Sequence, residues 1–155
     1  MIPEELYQTV ERKRRERRTA IKRAREQVAR ARAKAGSTPG GIMAGDGRRT
    51  GRGSSRTEKA ALAVVAAEKK LEKVMKWEAV FKQLDEIFPY EETEEGYIAG
   101  RLYDQGASQA DISRERGTDR QTIRRRKDIY IFRLILLATA AGLISPGDIR
   151  HSEGR

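Results

Sequence analysis

Hydrophobic positions follow helical spacing along most of this chain, and the pattern predicts an all-α protein. Residues 3–35 read as one helix. Pro3 suits a first helical turn, Glu4 and Glu5 suit the positive end of the helix dipole, and no Gly or Pro follows until Gly36. Val10, Arg14, Arg17, Ile21, Ala24, Val28, Ala31 and Ala35 alternate by four and three residues, which is a heptad seam. Two Arg and three Ala make it a weak one, suited to close helix approach rather than to dimerisation by itself. Residues 36–56 hold seven glycines and read as a flexible linker. They are not a phosphate loop, since the Gly-x4-Gly-Lys-Ser/Thr pattern is absent.

Residues 57–88 form a second long helix. Ser55 and Glu58 match a capping box at its start, and Pro89 ends it. Its apolar positions run from Ala61 through Leu71, Trp77 and Leu84 to Phe88. This helix either folds back on the first as a hairpin or pairs with a second subunit. Residues 93–144 form the last folded segment, and 145–155 read as a disordered tail. Within 93–144, Glu94–Gln105 is helical and Gly106 stops it. Ser108 caps a short helix, Gln109–Arg116, and Asp119 caps the next, which begins at Arg120. Asp128–Leu143 continues that helix and is too apolar for a solvated one. Its apolar face serves either intramolecular packing or a homodimer contact.

Charge sharpens this picture. The 155 residues carry 33 Lys plus Arg against 23 Asp plus Glu, a net +10, and that raises the prior for an anionic partner. The excess is uneven: +7 over residues 1–35, +3 over 36–56, 0 over 57–90, −4 over 91–107 and +4 over 108–133. The cluster Arg12–Arg18 reads either as a solvated face or as a phosphate-tracking arm. There is no Cys and one His, His151, so no disulfide, no Cys-ligated metal, no His triad and no cofactor site is expected. No secretory signal is evident, and the longest apolar run, 129–144, is interrupted by Arg133 and is short for a membrane span. A cytoplasmic protein, not associated with a membrane, is expected.

The segment 108–127 has the spacing of a helix-turn-helix. Ile112 and Ile123 pin the two helices, Ser113 is small where they cross, and Gly117 sits where the turn needs a positive φ. The second helix presents Arg120, Gln121, Arg124 and Arg125 as base readers: Arg suits guanine O6 and N7, and Gln suits adenine N6 and N7. Ser108, Arg114, Thr122 and Lys127 suit phosphates, with Arg14, Arg15 and Arg18 of the N-terminal helix adding nonspecific contacts. Five cations and no carboxylate lie in Arg120–Lys127. Arg116 and Thr118 stand where apolar residues are usual, which thins the core, and Arg126 is expected to lay its stem on that core.

Arg101-Leu102-Tyr103-Asp104-Gln105-Gly106-Ala107-Ser108, Asp111-Ile112-Ser113, Arg116-Gly117 and Gln121-Thr122-Ile123 together resemble region 4 of sigma factors. More widely, residues 5–140 resemble the phage late-gene transcriptional regulators of the RinA/ArpU type. The resemblance implies double-stranded promoter DNA as ligand, a location at the nucleoid in the cytoplasm of a bacterial host cell, and activation of late genes by contact with RNA polymerase. A second class, the small terminase subunit that binds viral DNA for packaging, also joins a helix-turn-helix to long helices, and a ring of subunits would mark it. An enzyme lacks support, because no catalytic constellation is present. Glu91, Glu92, Glu94 and Glu95 suit a helix first turn, or an acidic contact for a basic partner.

Overall fold

A computed structural model describes residues 2–36, 52–145 and 147, and every regular element among them is a helix. In chain order these are α1 (Glu4–Arg15), α2 (Arg17–Gly36), α3 (Arg52–Ile87), α4 (Glu94–Ala99), a π-helical turn (Gly100–Asp104), α5 (Gln109–Arg116) and α6 (Arg120–Ala140). The chain divides into two compact units. One comprises Met1–Arg18 with Lys76–Arg155, the other Thr19–Met75.

The single helix expected over 3–35 is interrupted at Glu16, where ψ is −3°. The break lies between Arg14 and Arg17, the two seam positions that carry charge. Each guanidinium reaches a carboxylate on a different element, Arg14 on Asp104 and Arg17 on Glu78 and Asp85. The turn between them tightens as Glu16 N–H donates to the carbonyls of Arg12 and Arg14. The division into units then assigns α1 to the C-terminal helices rather than to a separate arm.

Within the unit Thr19–Met75, the seam continues as expected. Ala24 and Val28 are buried, as is Ala67 of α3, and Arg32 meets Glu68 at 2.9 Å. The two helices therefore pair within one chain. The start of α3 differs from expectation. It begins at Arg52, so Ser55 lies inside the helix and not at its cap, because the backbone is already helical three residues earlier. Of the linker proposed over 36–56, Gly36 and residues 52–56 are helical, while 37–51 lie outside the described residues. The tail beyond Ser145 lies outside them too, apart from Gly147.

The other unit buries two clusters. The larger joins Leu6 and Val10 of α1, Trp77, Phe81 and Leu84 of α3, Tyr103, and Tyr130, Ile131, Leu134 and Ala138 of α6. The smaller joins Ile98, Ile112 and Ile123. Thus one face of the apolar stretch after Asp128 packs within the chain. Its C-terminal end is turned back by Gly142 at φ 76°, with Leu143 N–H on the Ala138 carbonyl, and Ile144 returns to the core. At the other end of the unit, Gly96 lies against the chain after α3. A Cβ there would stand 2.2 Å from the Phe88 carbonyl oxygen, so the α3–α4 corner closes only over glycine.

Candidate nucleic-acid interface

Helix α5 starts with a reciprocal cap: Ser108 Oγ accepts from Asp111 N–H at 3.1 Å, and Asp111 Oδ2 accepts from Ser108 N–H at 3.0 Å. It ends at Gly117, φ 62°, a left-handed conformation that disfavours any Cβ-bearing residue. Ser113 Oγ donates to the Thr118 carbonyl at 2.5 Å, which ties the last turn of α5 to the connection. Asp119 Oδ1 then accepts from Thr122 N–H at 2.7 Å and starts α6. Backbone hydrogen bonds at Ser108 and at Thr122 hold the Asp111 and Asp119 carboxyls below their usual range, so both caps remain anionic at neutral pH. The three residues between α5 and α6 therefore each have a local reason for their place.

Ile112 and Ile123 are fully buried against each other and Ile98. The two unusual positions beside them behave differently from apolar residues. Arg116 lies over the Tyr97 ring at 3.8 Å, and Thr118 is half-buried. With Glu94, Thr122 and Arg126 they border a cleft of about 180 Å³ above the three isoleucines. Arg126 reaches out to Glu95 at 2.7 Å. The thin core is thus partly replaced by ion-pair and cation–π contacts.

Arg120, Gln121, Arg124 and Arg125 are all exposed on the first turns of α6. Among the described residues none of these three arginines forms an ion pair, in contrast to Arg14, Arg17, Arg101, Arg126 and Lys127, each of which holds a carboxylate. Of the expected phosphate contacts, Ser108 and Arg114 are exposed and Thr122 is half-buried. Arg114 is held by Asp111 at 2.6 Å but keeps 77% of its side chain exposed. Arg15 of α1 is 62% exposed and Arg18 of α2 is 72% exposed.

Comparison with family models, with curated proteins and with solved structures finds no match to this chain. The site is therefore read from its own geometry.

Two of the expected phosphate contacts are corrected by that geometry. Arg14 is 2% exposed. Its Nη1 and Nη2 donate to the two Asp104 oxygens at 2.7 and 2.9 Å, and its Nε donates to Tyr130 Oη at 2.8 Å. Burial opposes the Arg14 charge, but the bonds to Asp104 and Tyr130 outweigh it and raise its pKa. Burial likewise opposes the Asp104 charge, yet Arg14 holds that carboxyl below its ordinary range. Arg14 is a buried strut, closed to a phosphate. Lys127 is the second correction: only 16% of its side chain is exposed, and it meets Glu11 at 3.2 Å over the Tyr7 ring.

These contacts belong to one polar seam that sequence reasoning missed as a set. Tyr103 Oη donates to Glu11 at 2.8 Å, and Tyr7 Oη donates to Asp128 at 2.7 Å. Burial first, and then Asp128, raise the Tyr7 pKa, so it stays a neutral donor. The π-helical turn inserts an extra residue after Gly100, closed by Gln105 N–H on the Gly100 carbonyl, and Tyr103 and Asp104 within it reach α1. The signal was present in part: Arg14 stood on the heptad seam beside Val10.

Proposed function

We propose that the protein is a DNA-binding transcriptional regulator, with α5, the Gly117 turn and α6 acting as a helix-turn-helix. The observation that carries this reading is the row Arg120, Arg124 and Arg125 with Gln121, without ion pairs among the described residues and exposed at the N-terminal end of a helix anchored from behind by Ile123. In the same unit most other arginines have carboxylate partners. A helix start also favours anions, and side chains there suit base edges in the major groove. Ser108, Arg114, Thr122, Arg15 and Arg18 supply phosphate contacts in this reading. Its resemblance to sigma region 4 and to RinA/ArpU-type regulators supports promoter DNA as the target and phage late genes as the output.

Selection from a random-sequence duplex pool, followed by titration of the recovered duplex, tests the proposal. With six or more phosphates contacted, affinity falls about 10³-fold or more between 50 and 200 mM salt. Arg120→Ala and Arg124→Ala each relax sequence preference by about 1–3 kcal/mol, whereas Arg15→Ala and Arg18→Ala weaken all duplexes alike. Unchanged preference in the Arg120→Ala/Arg124→Ala double variant would overturn the assignment of α6 as the reading helix.

A further inference from the structure

The outer face of α6 leaves Ile129, Phe132 and Leu136 exposed at 45%, 42% and 63%. Their spacing of three and four makes one stripe on the side of α6 opposite its buried face. Gln121 and Arg125 continue the same stripe toward the N-terminus, whereas Arg120 and Arg124 lie more than about 100° around the helix from it. Tyr7 braces Phe132 edge-on, with ring centroids 6.1 Å apart. The exposed Leu62 and Val65 of α3 form no comparable stripe, because the next position in phase is Lys69.

We propose that this stripe pairs antiparallel with the same stripe of a second copy, resting on the DNA-binding reading above. Three observations select a second copy as occupant. First, the stripe is self-complementary under a two-fold axis beside Phe132: Ile129 meets Leu136 of the second copy, and Leu136 meets its Ile129. Second, the middle of Arg120–Arg125 lies ten residues from that axis, or about 15 Å along the helix. Two recognition segments then stand about 30 Å apart, close to the 34–36 Å repeat between major-groove half-sites on one face of DNA.

Third, the area matches a pair completed on DNA. The exposed fractions of three side chains of roughly 200 Å² each give about 300 Å² of apolar surface per copy. A free-standing dimer buries at least about 1,200 Å² in total. Two copies of the stripe supply about half of that before any polar rim is counted, and the axis also brings Arg133 near its own symmetry mate. The contact is therefore weak between free molecules. It becomes effective when two half-sites hold the copies together, since binding to one duplex raises the effective concentration of each copy toward the other.

The absence of Cys from the chain allows a clean test. Full-length Ile129→Cys and Leu136→Cys proteins are mixed at high concentration and oxidised, without DNA and then with the duplex recovered by selection. The proposal expects a disulfide between the two variants, in higher yield with the duplex, and little self-linking of either one. Self-linked Ile129→Cys and Leu136→Cys dimers would show a parallel pair and overturn the register. No link under either condition would overturn the interface and leave the face to a different partner. A hetero-disulfide formed by a protein that binds no duplex would uphold the interface and sink the DNA reading instead. As a check in the intact chain, Leu136→Lys should abolish cooperative loading of a two-site duplex while leaving affinity for a single half-site unchanged.

Discussion

Removing Arg14 should destabilise the fold rather than weaken DNA contacts. In Arg14→Met the Asp104 carboxylate loses a bidentate partner at 2.7 and 2.9 Å, and Tyr130 Oη loses a donor at 2.8 Å. Breaking a buried ion pair from one side costs about 3–5 kcal/mol, because the remaining charge stays buried without compensation. The Asp104 side chain is 23% exposed and gains some hydration, which sets the expectation at the lower end, about 3 kcal/mol. For a domain of this size that corresponds to a fall in Tm on the order of 10–20 °C. The matched control is Arg15→Met, which removes an exposed cation 3.9 Å from Glu11 and should cost no more than about 1 kcal/mol. The decisive comparison is Arg14→Met/Asp104→Leu. Removing both charges leaves no buried orphan, so the double variant should recover much of the loss, with a coupling of about 2 kcal/mol or more. Urea unfolding of the parent, Arg14→Met, Asp104→Leu, the double variant and Arg15→Met measures it. If Arg14→Met and Arg15→Met cost the same, or if the losses at 14 and 104 simply add, the strut has been misjudged.

Two further outcomes follow from the same unit. The folded-state carboxyl of Asp104 titrates below its ordinary range, so its contribution to stability is complete above the unfolded pKa of about 3.9 and disappears as pH falls through the folded value; acid unfolding monitored by circular dichroism should be less steep below about pH 4 in Asp104→Asn than in the parent. Gly96→Ala should cost more than Gly117→Ala, because a Cβ at 96 meets the Phe88 carbonyl at 2.2 Å whereas a Cβ at 117 meets nothing within 4 Å and bears only the left-handed backbone cost, about 1–2 kcal/mol; equal losses in urea would refute the close approach at the α3–α4 corner.

The helices were legible because their punctuation is local. Ser108, Gly117 and Asp119 announce their roles through a few bonds to near neighbours, and the Ile112–Ile123 pair follows from spacing; the reciprocal bond from Asp111 is seen only in the structure. The seam over Val10–Ala35 was legible for the same reason, and its least exposed residues are the ones the heptad names. What a local reading misjudged was charge. In a run such as Arg12–Arg18 each cation looks alike along the chain, yet Arg12, Arg15 and Arg18 are exposed while Arg14 is enclosed. The difference comes from Asp104, ninety residues away, and its reach depends on an extra residue in the π-helical turn that no periodicity signals. The same holds for Lys127, whose partner Glu11 comes from α1. Basic residues on a seam should therefore be paired with distant carboxylates before they are assigned to phosphates. Applied here, that rule moves Arg14 and Lys127 from the DNA surface, in the proposed reading, to the support behind it, and leaves Arg120, Arg124 and Arg125 as exposed cations on α6 that form no ion pair among the described residues.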